Sequence, residues 1–278
     1  MSSTTHTPEL VERAAAGDRA AFDALVGPLK PQARGVVRRM IGHPEDSEDV
    51  LQDALLKAWN GMKSFRQESQ FSTWFLSIVT RTTIDFLRGQ KRWRPEAQVA
   101  YANLCAQSEE MSGEVMAHFA APDFAYEVRE HISYCFSCVG RSLPPDELAA
   151  LVLRDVIDMP AKDASAALGI SDSVLRHRLA AARSAMQDRF AGLCTLVSKT
   201  GVCYQCEGLR TIAPENRKGG PIPDLDDFQA RCDVVRNCTS TSMQELHNLF
   251  WRRTSDIEDT GLGSVKPESG CGESGTVD

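Results

Sequence analysis

The sequence predicts an all-α protein: two helical domains joined by an acidic linker, with a small irregular extension at the C-terminal end. Three observations predict it. Apolar residues recur at helical spacing up to about Trp93 and again from about Asp123 to Phe190. β-Branched alternation is nearly absent, and prolines at Pro28, Pro31 and Pro44 divide the first tract into separate helices. Between the two tracts lies a stretch of acids and small residues, including Ser108, Glu109, Glu110, Ser112 and Gly113, with no clear period.

Bulk properties narrow the function. The 278 residues carry a formal charge of −7, which argues against a general nucleic-acid coat, because tight duplex binding draws on Lys and Arg displacing counterions. The charge is unevenly placed: residues 1–94 hold 14 basic and 11 acidic residues, whereas 95–130 hold one and seven. Localised positive charge suits a protein that touches DNA as part of a larger assembly. No run approaches the ~20 apolar residues of a membrane span, so a cytoplasmic chain without a span is expected. Nine cysteines without a signal peptide point away from a disulfide framework and toward metal or redox chemistry.

In the first unit, Asp46 to Trp59 reads as a helix opening with acids, where the macrodipole favours them. Leu51, Leu55, Ala58, Trp59 and Met62 share one face, and Asp46, Asp49 and Asp53 gather on the other. That polar face is either merely solvated or a docking surface. Farther on, Phe71-Ser72-Thr73-Trp74-Phe75 leads into a helix carrying Arg81, Arg88, Lys91 and Arg92, with Trp74, Arg81, Arg88 and Arg92 on nearly one line. Guanidinium groups can hold phosphates while an aromatic ring stacks on unpaired bases; equally, Trp74 can be a core residue and the arginines a solvated face.

The order of these pieces, an acidic helix, Phe65-Arg66, Phe-Ser-Thr-Trp, and Ile84-Asp85-Phe86-Leu87-Arg88, resembles region 2 of bacterial RNA polymerase sigma factors over about 75 residues. The resemblance implies that Asp46, Asp49, Gln52 and Asp53 face the core polymerase, and that Trp74, Arg81, Arg88, Lys91 and Arg92 face DNA at the −10 element.

In the second unit, Leu143-Pro144-Pro145-Asp146 opens a helix with prolines where missing donors cost least. A short helix follows from Lys162 to Leu168, then Gly169 as a turn and Ser171 as the N-cap of a helix reaching about Arg189. This is helix-turn-helix spacing, though a plain core hairpin would read the same way. Leu175, Leu179, Ala182 and Met186 form its buried stripe, leaving Ser173, Arg176, His177 and Arg178 outward and Arg183 near phosphate. The tract from Leu143 to Phe190 resembles sigma region 4, which implies contact with the −35 element. Region 2, an acidic linker and region 4 in that order resemble the extracytoplasmic-function type of the sigma-70 family.

Cys135-Phe136-Ser137-Cys138 precedes the Pro-Pro start and Cys203-Tyr204-Gln205-Cys206 follows the last helix. Four thiolates make a closed tetrahedral zinc site, and Cys135, Cys138, Cys203 and Cys206 would staple the extension to region 4. Small buried residues, or a thiol redox switch, fit the same spacing. No cofactor is required; zinc, structural or sensory, is the one these residues suit. In the final amphipathic segment, Met243 to Arg253, the cluster Leu246, Leu249, Phe250 and Trp251 either docks back on the helical units or completes a small core.

The organisation expected is region 2 over 1–94, a flexible acidic linker over 95–122, region 4 over 123–190, a cysteine-bearing extension over 191–255 and a disordered tail over 256–278. The resemblance implies a non-enzymatic protein that partners core RNA polymerase and promoter DNA, with an anti-sigma factor or its own extension as a regulator. A stand-alone helix-turn-helix regulator is the rival; it leaves the acidic and aromatic-basic helices unexplained. A cysteine- or metal-dependent enzyme lacks a catalytic constellation, since the six histidines are scattered.

Overall fold

The computed structural model describes residues 8–90, 92–121, 126–194, 196–198, 200–203, 217–218 and 227–259. Helices α1 (Pro8–Ala15) and α2 (Arg19–Val26) form a hairpin in which the Asp18 carboxylate caps α2 by accepting from the Ala21 N–H at 3.1 Å. Behind it pack α3 (Lys30–Ile41), α4 (Pro44–Gly61) and α5 (Phe71–Gly89). The turn between α3 and α4 is made at Gly42, whose φ of +85° suits glycine. His43 then accepts from the Asp46 N–H, with Pro44 at the first helical position. From α4, Val50, Leu51, Ala54 and Ala58 enter the core, while α5 buries Phe71, Phe75, Leu76, Val79, Ile84 and Leu87.

The second helical unit follows the predicted order. α8 (Val128–Gly140) leads to α9 (Pro145–Leu151), which runs into a π turn over Val152–Val156 closed by the Ile157 N–H on the Val152 carbonyl at 2.8 Å. α10 (Ala161–Leu168) ends at Gly169, left-handed with φ +66°, and Ser171 caps α11 (Asp172–Leu193) by accepting from the Val174 N–H. This unit packs against the first: α5 lies along α10 and α9, and α3 along α8. One hydrophobic core therefore runs from Val11 through both units to Leu193 and Cys194.

Three expectations are corrected. The stretch 95–122, expected as a flexible linker, forms α6 (Ala97–Gln107) and α7 (Glu109–Phe119). Ala97, Tyr101 and Cys105 recur every fourth residue and turn inward together, and the acids Glu109 and Glu110 occupy the first turn of α7 behind the Ser108 N-cap. The extension, expected as irregular, supplies α12 (Phe228–Asn237) and α13 (Gln244–Asp259). A two-residue parallel pairing joins Tyr126–Glu127 to Arg217–Lys218. The tail expected over 256–278 is helical to Asp259, and the remainder lies outside the described residues.

Together α6, α7, α8 and α13 build a second core, from Trp93, Tyr101, Phe119, Ile132, Tyr134, Leu246, Phe250 and Trp251. The Leu246 to Trp251 cluster thus completes a core with the segment that reads as a linker. Trp251 also reaches the first unit: a Cβ placed on Gly42 would stand 1.9 Å from its ring.

Candidate nucleic-acid interface

The acidic helix presents the surface expected of it. Asp49, Gln52 and Asp53 are exposed along α4, with Asp46 half-buried beside His43 and Leu56 exposed in the same stripe. Glu48, on the flank, is taken up by Arg34 at 2.8 Å and Arg38 at 3.2 Å of α3, which hold its carboxyl below its usual range. Asp49, Gln52 and Asp53 make no such internal contact among the described residues.

The basic helix is differently placed. Trp74 is half-buried in an aromatic group with Phe65, centroids 4.8 Å apart, and Phe71 at 5.5 Å. Arg81 is exposed, yet its guanidinium lies against Gly169, where an added Cβ would stand 2.7 Å from it. Arg88 bonds Asp146 of α9 at 3.0 and 3.2 Å, and Thr73 meets Asp163 of α10 at 3.5 Å. Arg92 is exposed beyond the end of α5; Lys91 lies outside the described residues.

On α11, Ser173, Arg176 and His177 are exposed with their side chains toward solvent. Arg178 bonds the same Asp146 at 3.1 Å, so one carboxylate holds a guanidinium from each helical unit. Arg183 grips the buried Asp155 through two bonds of 2.7 and 2.8 Å. Sequence reading missed both acids as internal partners. Asp155 carried a signal: a lone carboxylate in the apolar run Leu148 to Ile157 needs a cation once buried.

The cysteines meet only in part. Cys135, Cys194 and Cys203 line one small buried cavity, and the backbones of Cys194 and Cys203 form a bridge. Cys135 accepts from Gln98 Nε2 at 3.2 Å, and burial raises the pKa values of both Cys135 and Cys138. The guanidinium of fully buried Arg231 stacks 3.7 Å over the Phe190 ring and sits 3.9 Å from Cys194 Sγ. Among the described residues no three His, Cys, Asp or Glu side chains converge as metal ligands. Cys206, the fourth thiol of the expected zinc site, lies outside them.

Residues 25–93, which span the acidic and basic helices, match the family model for sigma-70 region 2. The RNA polymerase sigma-H factor of Pseudomonas aeruginosa is 28% identical over 187 residues, 67% of this chain and 94% of that protein. The ECF RNA polymerase sigma-E factor of Escherichia coli is 29% identical over 189 residues, 68% of this chain and 96% of its own length. The chain is a sigma-70 family sigma factor of the extracytoplasmic-function type. Sigma factors are transcription initiation factors and not enzymes. The similarity covers about two-thirds of this sigma factor and nearly the full length of these two relatives. Among solved structures, CnrH in complex with the cytosolic domain of CnrY has a TM-score of 0.44 and 23% identity, covering 65% of this chain and 94% of that one. No helix among the described residues is long and apolar enough to cross a membrane.

Proposed function

We propose that this sigma factor docks on core RNA polymerase through Asp49, Gln52 and Asp53 of α4, flanked by Asp46, and directs initiation at promoters read by α5 and α11. The observation that carries the reading is the region 2 match laid over an exposed acidic helix beside a basic one. Trp74, Arg81, Arg88, Lys91 and Arg92 would serve the −10 element, and Ser173, Arg176, His177, Arg178 and Arg183 the −35 element. With α10 lying on α5, the two reading units must separate before both can engage DNA, and core polymerase is the partner that would draw them apart. The regulator-only reading leaves the region 2 match without a role. The test is co-purification of the full chain with core polymerase, followed by promoter-dependent run-off transcription. Tight binding to duplex operator without polymerase, and no gain in transcription with it, would overturn the proposal.

A further inference from the structure

Where α3, α8 and the extension meet there is an open cleft of about 460 Å³. Its volume is in the range of small-molecule sites. It lies away from the α4 face and away from the reading face of α11. One wall carries four guanidinium groups: Arg34, Arg38 and Arg39 from α3, and Arg236 from α12. The cleft is also lined by hydroxyl-bearing residues, including Ser133, Thr239, Ser240 and Thr241, and by Glu130.

The positive charge is incompletely matched. Arg34 and Arg38 share the single carboxylate of Glu48, and Arg236 is 3.2 Å from Asp233. Arg39 has no carboxylate partner among the described residues. Its N–H groups reach only carbonyl oxygens among the described residues, Gly35 at 3.3 Å, Val235 at 2.7 Å and Arg236 at 3.5 Å. Arg39, whose charge no carboxylate among the described residues offsets, and Arg38, which shares one with Arg34, leave positive charge at the cleft for an anionic ligand, and phosphate fits the planar fork of arginine well. Glu130 does not fill that need: its oxygens already accept from the Ser240 hydroxyl at 2.8 Å and the Met243 N–H at 3.0 Å.

We infer that this cleft binds a small phosphate monoester with a hydroxylated body, its phosphate against Arg38, Arg39 and Arg236 and its hydroxyls toward the Ser and Thr residues. Sugar phosphates and nucleotides share that chemistry. A ligand seated there touches the first helical unit, the second and the extension at once. Binding therefore strengthens their mutual packing by mass action. The inference concerns binding by the chain itself and holds whether or not the transcription reading does.

The test is calorimetry and thermal unfolding of the full chain with inorganic phosphate, ribose 5-phosphate and AMP, with ribose and adenosine as uncharged counterparts. Ribose 5-phosphate or AMP is expected to bind at least tenfold more tightly than inorganic phosphate and to raise the melting temperature, with no effect of ribose or adenosine. Arg39→Gln should weaken binding tenfold or more. Because Arg39 also holds α12, Thr241→Trp, which fills the cleft from an exposed edge, provides a second variant and should block binding without altering the fold. No stabilisation by any phosphate at about 10 mM, or binding untouched by both variants, overturns the site. Inorganic phosphate binding as tightly as ribose 5-phosphate overturns the ligand class.

Discussion

Helices α4 and α5 are neighbours in one core and meet the surroundings in opposite ways. α4 turns Asp49, Gln52 and Asp53 to solvent without internal partners among the described residues, whereas α5 rests its side chains on neighbouring parts of the molecule: Trp74 on Phe65 and Phe71, Arg81 against Gly169, Arg88 on Asp146. The difference teaches an order of events. A surface proposed for polymerase stands open while one proposed for DNA is partly covered by the second reading unit, so polymerase docking would come first and uncover the rest.

The largest effect should come from locking the cover in place. Thr73 and Asp163 already meet at 3.5 Å, so replacing both with Cys and oxidising them should abolish run-off transcription while leaving polymerase binding intact, with reductant restoring activity. A locked protein that still transcribes would break the comparison.

Next comes acid, which acts on two buried histidines, His131 of α8 and His247 of α13. Burial lowers the His131 pKa to about 4 and puts His247 well below its usual value. A group whose folded pKa is depressed adds stability above its unfolded value near 6.5, and that stability is lost as pH falls toward 4. For His131 alone the loss reaches about 3 kcal/mol. Glu130 opposes it, since burial raises its pKa and its ionisation costs stability only at higher pH. Urea midpoints should therefore fall steeply between pH 6.5 and 4, and less steeply in His131→Gln.

Charge reversal on the open face is the third probe. Asp49→Arg with Asp53→Arg should weaken polymerase binding about tenfold or more while stability moves by no more than about 0.5 kcal/mol, because neither side chain has an internal partner among the described residues. The smallest effect belongs to Asp146→Asn, which loosens two part-exposed ion pairs worth up to about 1 kcal/mol each. Promoter binding by the holoenzyme should rise a few-fold, as followed by fluorescence anisotropy.

How much of this was legible in the sequence depends on how far apart the partners lie. The acidic stripe, the Pro-Pro helix start, the Gly169 turn and the Ser171 cap are local features, and each appears where its residues place it. The covering of α5 by α10 was illegible, because Thr73 and Asp163, or Arg88 and Asp146, are far apart in sequence and none is unusual on its own. The linker was misread for another reason: the small, polar and acidic residues around Ser108 masked the Ala97, Tyr101 and Cys105 repeat, whose burial depends on Phe250 and Trp251 arriving from the far end of the chain. The zinc reading counted four cysteines by spacing; the described residues bring Cys135 and Cys203 to one cavity together with Cys194, yet no three ligands there converge closely enough to hold a metal ion.

Asp146 has a consequence for measurements on promoters. It serves both Arg88 and Arg178 as a built-in counterion. In the proposed promoter complex cations still leave the DNA when its phosphates take the place of Asp146, but the one carboxylate set free can draw back about one of them. The slope of affinity against salt, which ordinarily counts phosphate contacts, should fall short by at most about one contact in this sigma factor and recover it in Asp146→Asn.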